Sequence, residues 1–238
     1  MTQKTAQKTA LIIRHVPYEG VAGYRAPIEA AGYDVDRIDV SDPRFSAVDL
    51  AEPDLLIMMG GPMGVYEREK YPWISCQLGR LARRLEADRP TLGVCFGSQM
   101  MAAALGGEVY AGHASEVGFH PVNLSAQGLS GPLRHVAEVP VLHWHGDTFT
   151  LPDDVELLAS SPLYPHQAFA RGRHILALQF HAEMGLDPRF DAWIEGGQDA
   201  ILRAGTTEAR LRADHEALGP GAVAAGQRMI AEWLEGFD

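Results

Sequence analysis

The chain has 238 residues, of which 46% are hydrophobic, and a formal net charge of −11 with its histidines neutral. This length suffices for one full hydrophobic core, so we expect a single domain. The negative charge argues against a nucleic-acid partner, because binding to phosphates depends on lysine and arginine. The two cysteines, Cys76 and Cys95, are too few for a disulfide framework, and no apolar run is of membrane-spanning length. We therefore expect a reduced, soluble, cytoplasmic protein without a membrane partner.

The first ninety residues alternate between short apolar runs and segments of helical periodicity. The predicted strands are residues 10–16, 34–40 and 54–59, and the predicted helices are residues 21–31 and 73–87. This alternation predicts a parallel sheet. In the second helix the apolar residues form one stripe, and its arginines are expected on the solvated face. The third strand ends in Gly60-Gly61-Pro62, at the position where an α/β sheet binds its ligand.

Residues 91–107 contain the most distinctive pattern. Apolar residues lead up to Cys95 and helix formers follow it until a pair of glycines, which predicts strand, sharp turn and helix with Cys95 at the turn. Gly93-x-Cys95-x-Gly97 has the spacing of a nucleophile elbow, in which glycines allow a strained turn and the close approach of strand and helix. The helix N-terminus favours the nucleophilic thiolate. A buried structural cysteine is the alternative, but it leaves both glycines unexplained.

The second half of the chain is β-rich and then helical. Short β-like segments cover residues 108–110, 117–124, 141–144 and 156–159, and a hairpin is predicted from residues 167–170 and 175–180. The hairpin leads directly into His181-Ala182-Glu183. Helices are predicted over residues 188–203, 208–218 and 222–234, with no catalytic residue among them. The fold class is therefore α/β, a mostly parallel doubly wound sheet with antiparallel additions and C-terminal helices.

Cys95, His181 and Glu183 are the residue types of a thiol triad, with a nucleophile, a base and a carboxylate that orients the base. Residues i and i+2 of an extended segment share a face and lie about 6–7 Å apart. Glu183 can therefore bond one ring nitrogen of His181 while the other faces Cys95. A plain surface pair is the alternative for an isolated His-x-Glu, but this one follows a buried strand.

Three motifs, Gly60-Gly61-Pro62, residues 93–99 and residues 179–183, occur in the order typical of one enzyme family. On these motifs the chain resembles the class-I, triad-type glutamine amidotransferases, in particular stand-alone relatives of the glutaminase domain of GMP synthase. The resemblance implies one flavodoxin-like domain over residues 1–238, with residues 188–238 as a helical C-terminal extension. It also implies hydrolysis of the glutamine side-chain amide to glutamate and ammonia through a γ-glutamyl thioester, with no cofactor.

The same resemblance assigns roles to individual residues. It makes Cys95 the nucleophile, His181 the general base and then acid, and Glu183 the group that orients the histidine. The backbone amides of Gly61 and Phe96 correspond to the oxyanion hole. The residues that correspond to the glutamine pocket are Gln99, His145, Gly146 and Asp147.

Two features depart from the family pattern. Ala182 stands where the family usually has proline, and activity is expected to survive because no functional group is lost. No ATP-dependent synthetase domain is visible, so we expect the ammonia acceptor, a synthetase or other protein, on another chain. Two alternatives remain open: a γ-glutamyl amide or peptide hydrolase with water as acceptor, and a non-catalytic binding or regulatory protein on the same fold.

His143-x-His145-x-Asp147 also places three metal-ligating residue types on one face of a strand, as a zinc site requires. Because no further ligands occur at a comparable spacing, no metal is predicted. The isolated histidines, His15 among them, are expected on the surface or as satisfied core residues. Cys76 has no visible cationic neighbour and is expected to be the less reactive thiol.

Overall fold

The computed structural model describes residues 7–237. The strands of this part of the chain are β1 (Lys8–Arg14), β2 (Tyr33–Asp39), β3 (Leu55–Met58), β4 (Thr91–Val94), β5 (Val109–His120), β6 (Asn123–Leu124), β7 (Val141–Phe149), β8 (Glu156–Ser160), β9 (Ala168–Arg171) and β10 (Ile175–Leu178). The α-helices are α1 (Arg25–Ala30), α2 (Trp73–Glu86), α3 (Phe96–Ala104), α4 (Ala126–Ser130), α5 (Phe190–Gly196), α6 (Gln198–Arg203) and α7 (Glu208–Glu235). Among the described residues, none of the helices is long and apolar enough to cross a bilayer.

The main sheet has the strand order β2-β1-β3-β4-β10-β9-β8-β6. The first five of these strands are parallel, and their order is that of a flavodoxin-like sheet. Strands β9, β8 and β6 extend the sheet in antiparallel fashion. The predicted mostly parallel α/β sheet with antiparallel additions is confirmed, and so is the β9–β10 hairpin.

Alternate residues of the central strands face two different cores. Ile12 and Ile57 pack into a core shared with α1 and α7, whereas Ile13 and Leu56 pack into a core shared with α2 and α3. Because both faces of these strands are buried, their sequences are continuous hydrophobic runs. The sheet is therefore covered on both sides, as the prediction of a doubly wound fold requires.

The separate β5–β7 ribbon differs from the prediction. Residues 109–120 form one strand, where two separate segments were predicted. The register slips between Ala111 and Glu116, and the small and polar residues there, Gly112 to Ser115, show no apolar alternation. The apolar alternation expected of a strand is therefore lost at the slip, although the strand itself continues.

The solvated arginine face predicted for α2 is wrong at one position. Arg84 is fully buried and donates to the carbonyl oxygens of Leu50, Pro53 and Pro90 and to Thr91 Oγ1. Burial lowers the pKa of Arg84 to about 10, so the side chain stays charged at neutral pH. It ties the loop carbonyls of Leu50 and Pro53 to the start of β4.

Helix α7 continues through Gly219-Pro220-Gly221, where the sequence predicts a break. Pro220 is exposed, and the helix passes directly against the segment that follows His181. A Cβ at Gly219 would lie 2.1 Å from the carbonyl oxygen of Gly185. The glycine therefore serves close packing, and burial of both halves of the helix offsets the cost of the proline.

Candidate active site

The predicted nucleophile lies between β4 and α3. Cys95 has φ 51° and ψ −113°, a conformation that non-glycine residues adopt rarely and at a cost of about 1–3 kcal/mol. Its N–H donates to the carbonyl oxygen of Leu178 in β10 at 2.7 Å. The strained turn therefore places the thiol at the carboxyl edge of the parallel sheet, where the sequence predicts it.

The two flanking glycines have the steric function that the elbow spacing predicts. A Cβ at Gly93 would lie 2.4 Å from the sulfur of Met101 and 2.8 Å from the carbonyl group of Gly97. A Cβ at Gly97 would lie 2.0 Å from the carbonyl oxygen of Met58 in β3. No side chain fits at either position, so α3 can begin immediately beside the strands.

His181 and Glu183 form the predicted pair. The Nδ1 atom of His181 lies 2.7 Å from Glu183 Oε1, and both residues are buried. His181 is fixed by reciprocal backbone hydrogen bonds with Leu142 of β7, at 2.7 and 3.3 Å. Because a carboxylate accepts, Nδ1 carries the proton and Nε2 is left for the thiol; no hydrogen bond to Nε2 is present among the described residues.

Burial acts to lower the pKa of His181, but the Glu183 carboxylate and the neighbouring Cys95 thiol raise it more, to well above the ordinary value. The structure therefore brings Cys95, His181 and Glu183 into one electrostatic unit. Trp193 packs edge-on against the imidazole, with ring centroids 4.7 Å apart, and limits the positions that the ring can take. This arrangement is suited to a thiolate–imidazolium pair.

The two amides predicted for the oxyanion hole belong to the residue after Cys95 and to the glycine turn that follows β3. Phe96 is the first residue of α3, so its N–H is one of those that a helix N-terminus leaves without a helical acceptor. Gly61 lines the same cavity as Cys95. The preceding turn is held by His15, whose Nδ1 lies 2.8 Å from the carbonyl oxygen of Met59.

His15 is a satisfied core residue, one of the two outcomes expected for the isolated histidines. Burial lowers its pKa to about 4, so it is neutral at physiological pH. Its Nε2 lies 3.2 Å from Gln77 Nε2, and its ring stacks on Trp73. A neutral, fixed imidazole beneath the turn keeps the glycine backbone in place, a role that no sequence pattern indicates.

A cavity of about 420 Å³ opens over Cys95. All four predicted pocket residues, Gln99, His145, Gly146 and Asp147, contribute to its lining. The Gln99 amide donates to Gln179 Oε1 at 3.1 Å, and Asp147 accepts from the Tyr66 hydroxyl at 3.3 Å. The predicted residues therefore surround one concave site.

The comparisons with known proteins show the family to which the chain belongs. A profile of the family described as "Glutamine amidotransferase class-I" matches residues 25–197. The chain belongs to the class-I glutamine amidotransferase family. The matched segment includes the elbow, the His181–Glu183 pair and the turn at Gly61.

Individual relatives differ in length. The glutamine amidotransferase-like protein YfeJ of Salmonella typhimurium is 29% identical over 178 residues, which is 73% of this chain and 74% of that protein. A glutamine-hydrolysing GMP synthase of Phenylobacterium zucineum is 33% identical over 191 residues, 77% of this chain but only 32% of the synthase. The chain thus spans about a third of the length of the GMP synthases that it matches.

Solved structures support the fold. A glutamine amidotransferase from Thermotoga maritima superposes with a TM-score of 0.81 at 28% identity, over 97% of this chain and 99% of that one. A glutamine amidotransferase from Methylobacillus flagellatus reaches a TM-score of 0.82 at 23% identity, covering 98% and 96%. The first reflects common family membership, and the second shows the shared fold.

Several cavity residues of this amidotransferase have no counterpart in the sequence prediction. Helices α5 and α6, in which no functional residue is expected, supply one wall. The additional lining residues include Tyr18, Glu19, Glu67, Ser115, Trp193, Asp199 and Arg203. Tyr18 and Glu19 are more than seventy residues from the nearest triad member. The others lie 10 to 28 residues from one without belonging to its motif, so no sequence motif contains any of them.

Glu19 is the additional residue whose carboxyl group lies beside the catalytic cysteine. It is buried, and its Oε2 has no hydrogen-bond partner among the described residues. Oε2 would lie 2.0 Å from a Cβ at Gly60, and Cys95 Cβ would lie 3.4 Å from the same point. Burial raises the pKa of Glu19 to about 7, against the effect of nearby His181 and with that of Glu183.

The three-residue face suggested by His143-x-His145-x-Asp147 is only partly present. His143 and His145 do share a face, but the third group is Glu116 from β5, opposite His145 in the ribbon. Asp147 bonds Tyr66 instead. Asp147 pairs with Ala111, on the other side of the β5 register slip from Glu116. The two-residue alternation along β7 alone does not reveal this difference.

The expectation that Cys76 lacks a cationic neighbour is wrong. Arg80 Nη2 lies 2.8 Å from its sulfur, one helical turn away in α2. An i,i+4 pair on one helix face explains this contact. Since Cys76 is also exposed, thiol reactivity by itself does not distinguish the two cysteines.

Proposed function

We propose that this family member hydrolyses the side-chain amide of glutamine to glutamate and ammonia through a γ-glutamyl thioester on Cys95. The observation that carries the proposal is the buried His181–Glu183 pair, joined at 2.7 Å, beside an elbow cysteine at the base of a cavity. The pair fixes the imidazole so that its second nitrogen is available to the sulfur. This geometry supplies a base, an acid and a nucleophile within one enclosed site.

In the first half-reaction the Cys95 thiolate attacks the amide carbon of glutamine and forms a C–S bond. Negative charge develops on the amide oxygen, which the N–H groups of Gly61 and Phe96 stabilise, each by about 3–4 kcal/mol. His181 transfers its Nε2 proton to the amide nitrogen. The C–N bond breaks, ammonia leaves, and the γ-glutamyl thioester remains.

In the second half-reaction neutral His181 takes a proton from water. The resulting hydroxide attacks the thioester carbon, the C–S bond breaks, and glutamate and the Cys95 thiolate are released. The proton taken from water replaces the one that His181 gave to ammonia. Glu183 stays ionised throughout and stabilises the imidazolium.

We further propose that the ammonia passes to a synthetase or other acceptor on a partner chain. The support is the match to GMP synthases, whose names describe glutamine hydrolysis coupled to synthesis and of which this chain matches about a third. Co-purification from the source cells, followed by glutamine turnover with and without the co-purified proteins, tests the coupling. A partner that leaves turnover unchanged would contradict it.

Glutamate and ammonia release from glutamine tests the chemistry. We expect turnover by the wild type, none by Cys95→Ala, and full turnover by Cys76→Ser, which controls for the second thiol. A glutamine-analogue electrophile should label Cys95, identified by mass spectrometry of the digested protein. Turnover by Cys95→Ala would exclude the thioester, and absence of labelling would favour a non-catalytic binding protein.

A second candidate is a hydrolase of γ-glutamyl amides with water as the only acceptor. The acidity of the cavity favours it, because Glu67, Asp147 and Asp199 line the walls beyond the thiol, while Arg203 is the one arginine or lysine among the described residues of the lining. Such walls suit an amide substituent that carries a positive charge. A panel of glutamine, γ-glutamyl methylamide and a γ-glutamyl diamine distinguishes the candidates: preference for free glutamine supports the first, and preference for the diamine supports the second.

A further inference from the structure

A second cluster of polar side chains lies in the β5–β7 ribbon, outside the catalytic residues. Glu116, His143 and His145 are buried, and one potential ligand atom of each lies within 4.8 Å of the other two. Glu116 Oε2 is 3.0 Å from His145 Nε2 and 3.5 Å from His143 Nδ1. His145 also lines the active-site cavity, but no step of the hydrolysis proposed above uses any of the three side chains.

Backbone carbonyl groups determine which nitrogen of each imidazole carries hydrogen. His143 Nε2 lies 3.3 Å from the carbonyl oxygen of His120, and His145 Nδ1 lies 3.1 Å from that of Asp147. A carbonyl oxygen only accepts, so in the neutral rings the hydrogen is on these two nitrogens. The other two nitrogens therefore point lone pairs at the Glu116 carboxylate.

Three acceptor atoms that face one another in a buried site repel unless a positive charge lies between them. His143 Nδ1 has no hydrogen-bond partner within the described part of the chain. Gln167 Nε2 lies 2.6 Å from Glu116 Oε2 and 3.2 Å from His145 Nε2, so it satisfies part of the cluster. Its own Oε1 is buried and unpartnered among the described residues.

We propose that Glu116, His143 and His145 bind a divalent metal ion, for which zinc is the best chemical match. Two imidazoles and one carboxylate are a common zinc ligand set, and ligands at 2.0–2.2 Å in a tetrahedron are about 3.3–3.6 Å apart. The observed separation of 3.5 Å lies within this range, and that of 3.0 Å is 0.3 Å below it. The carbonyl groups that accept from the opposite ring nitrogens are the outer contacts that zinc-bound histidines usually have.

Gln167 supplies the fourth ligand in this proposal. Rotation of its amide by 180° exchanges nitrogen and oxygen, and brings the unpartnered Oε1 to the position beside Glu116 and His145. The rotation converts a donor into the acceptor that a metal needs. It gives Gln167 Oε1 the partner that it lacks and moves Nε2 to the position that Oε1 occupied.

The position of the cluster indicates how a metal ion would reach it and which strands the ion would hold together. A second cavity, of about 340 Å³, is lined by Glu116 and His120, and Ser115 lines both this cavity and the active-site cavity. A metal at the cluster would fasten β5 to β7 immediately before Gly146 and Asp147, which line the active-site cavity. The proposed role of the metal is structural, and the proposal stands independently of the glutaminase activity.

The test uses the full chain in a Cys95→Ala background, so that the catalytic thiol cannot bind the metal. We expect about one zinc per chain by elemental analysis after equilibration with Zn²⁺ and removal of the excess. Saturation at 100-fold above the dissociation constant should raise the melting temperature by about 5–10 °C. Co²⁺ should give visible d–d bands without a thiolate charge-transfer band.

His143→Gln removes one ligand, and we expect it to weaken Zn²⁺ binding at least 100-fold, because loss of an outer contact already costs about 10–100-fold. His120→Gln is the matched control, since this ring lines the same cavity and is not among the ligands; it should bind zinc as the parent does. A parent that binds no zinc and shows no shift in melting temperature would overturn the proposal in favour of protonated histidines. Equal binding by His143→Gln would place any metal elsewhere.

Discussion

The two halves of the catalytic centre are held in place in different ways. The nucleophile is fixed locally: Cys95 sits in a strained turn whose two glycines, Gly93 and Gly97, lie within two residues of it. The base is fixed from a distance: His181 bonds Leu142 of β7, and the backbone after it packs against α7. A local device is encoded in a short motif, whereas a distant one depends on the assembly of the whole fold.

Glycines show this contrast most directly. In the elbow they make room for a neighbouring strand, and on α7 they make room for the segment that carries the base. A Cβ at Gly226 would lie 2.6 Å from the carbonyl oxygen and 2.9 Å from Cβ of Ala182. Ala182 is fully buried, so the residue that departs from the family's usual proline is part of this close contact.

The largest expected effect comes from the group that orients the base. Glu183→Gln should lower kcat by about 10⁴-fold, as loss of the orienting carboxylate does in other triads, because His181 loses both its fixed tautomer and the charge that stabilises its imidazolium. Steady-state glutaminase kinetics measures this. Glu67→Gln, which changes a cavity carboxylate away from the triad, should retain kcat within about tenfold, and a comparably small loss for Glu183→Gln would rule out the orienting role.

Next in size is disruption of the elbow. Gly97→Ala places a Cβ 2.0 Å from a backbone oxygen of β3, and we expect a loss of about 3 kcal/mol or more in the free energy of unfolding, because neither strand nor helix can move freely. Urea denaturation gives the value. Gly79→Ala in α2 is the control, since a Cβ there has no neighbour within 4 Å, and it should be neutral or stabilising by up to about 1 kcal/mol.

A substitution in α7 beside His181 should destabilise the protein less than Gly97→Ala does, but it should displace the catalytic base. Gly226→Ala is expected to cost about 1–3 kcal/mol and to lower kcat about 10–100-fold, because Ala182 must shift and carries His181 with it. Gly221→Ala on the same helix has open space around it and should leave kcat unchanged. If both variants keep wild-type kcat, packing of α7 does not position the base.

The last prediction concerns the ionisation of Glu19, which should affect stability and depend on pH. Burial raises its pKa from 4.5 to about 7, so the folded state holds the proton more tightly than the unfolded chain does. The stability from this group is present below pH 4.5 and is lost as pH rises through about 7, a change of about 3 kcal/mol. Glu19→Gln, which cannot ionise, should gain that amount relative to wild type between pH 4.5 and 8.5.

His15 acts in the opposite sense and must be separated from Glu19. Its pKa is lowered to about 4, so its contribution is present above pH 6.5 and is lost as pH falls through about 4. Comparing the Glu19→Gln variant with wild type at each pH cancels the His15 term, which both proteins share. A stability difference that does not vary with pH would mean that Glu19 ionises normally in the folded protein.

The sequence alone was sufficient to predict the parallel core, the strand–turn–helix around Cys95 and the His181–Glu183 pair. Each of these depends on neighbours within a few residues: apolar runs, glycines beside a nucleophile, and the two-residue repeat of an extended chain. The predicted pocket residues also reached the cavity, through the resemblance to a family whose motifs keep their order along the chain.

Only the tertiary structure decided which distant groups join these motifs. Glu19, His15 and Arg203 reach the site from loops and a C-terminal helix, and Glu116 reaches His145 across a ribbon whose register slips. For the same reason the sequence wrongly predicted that Arg84 is exposed and that the helix is broken within α7. Burial and close packing depend on residues far apart in the chain, and they outweigh the local preferences for solvent or for a helix break from which sequence patterns are interpreted.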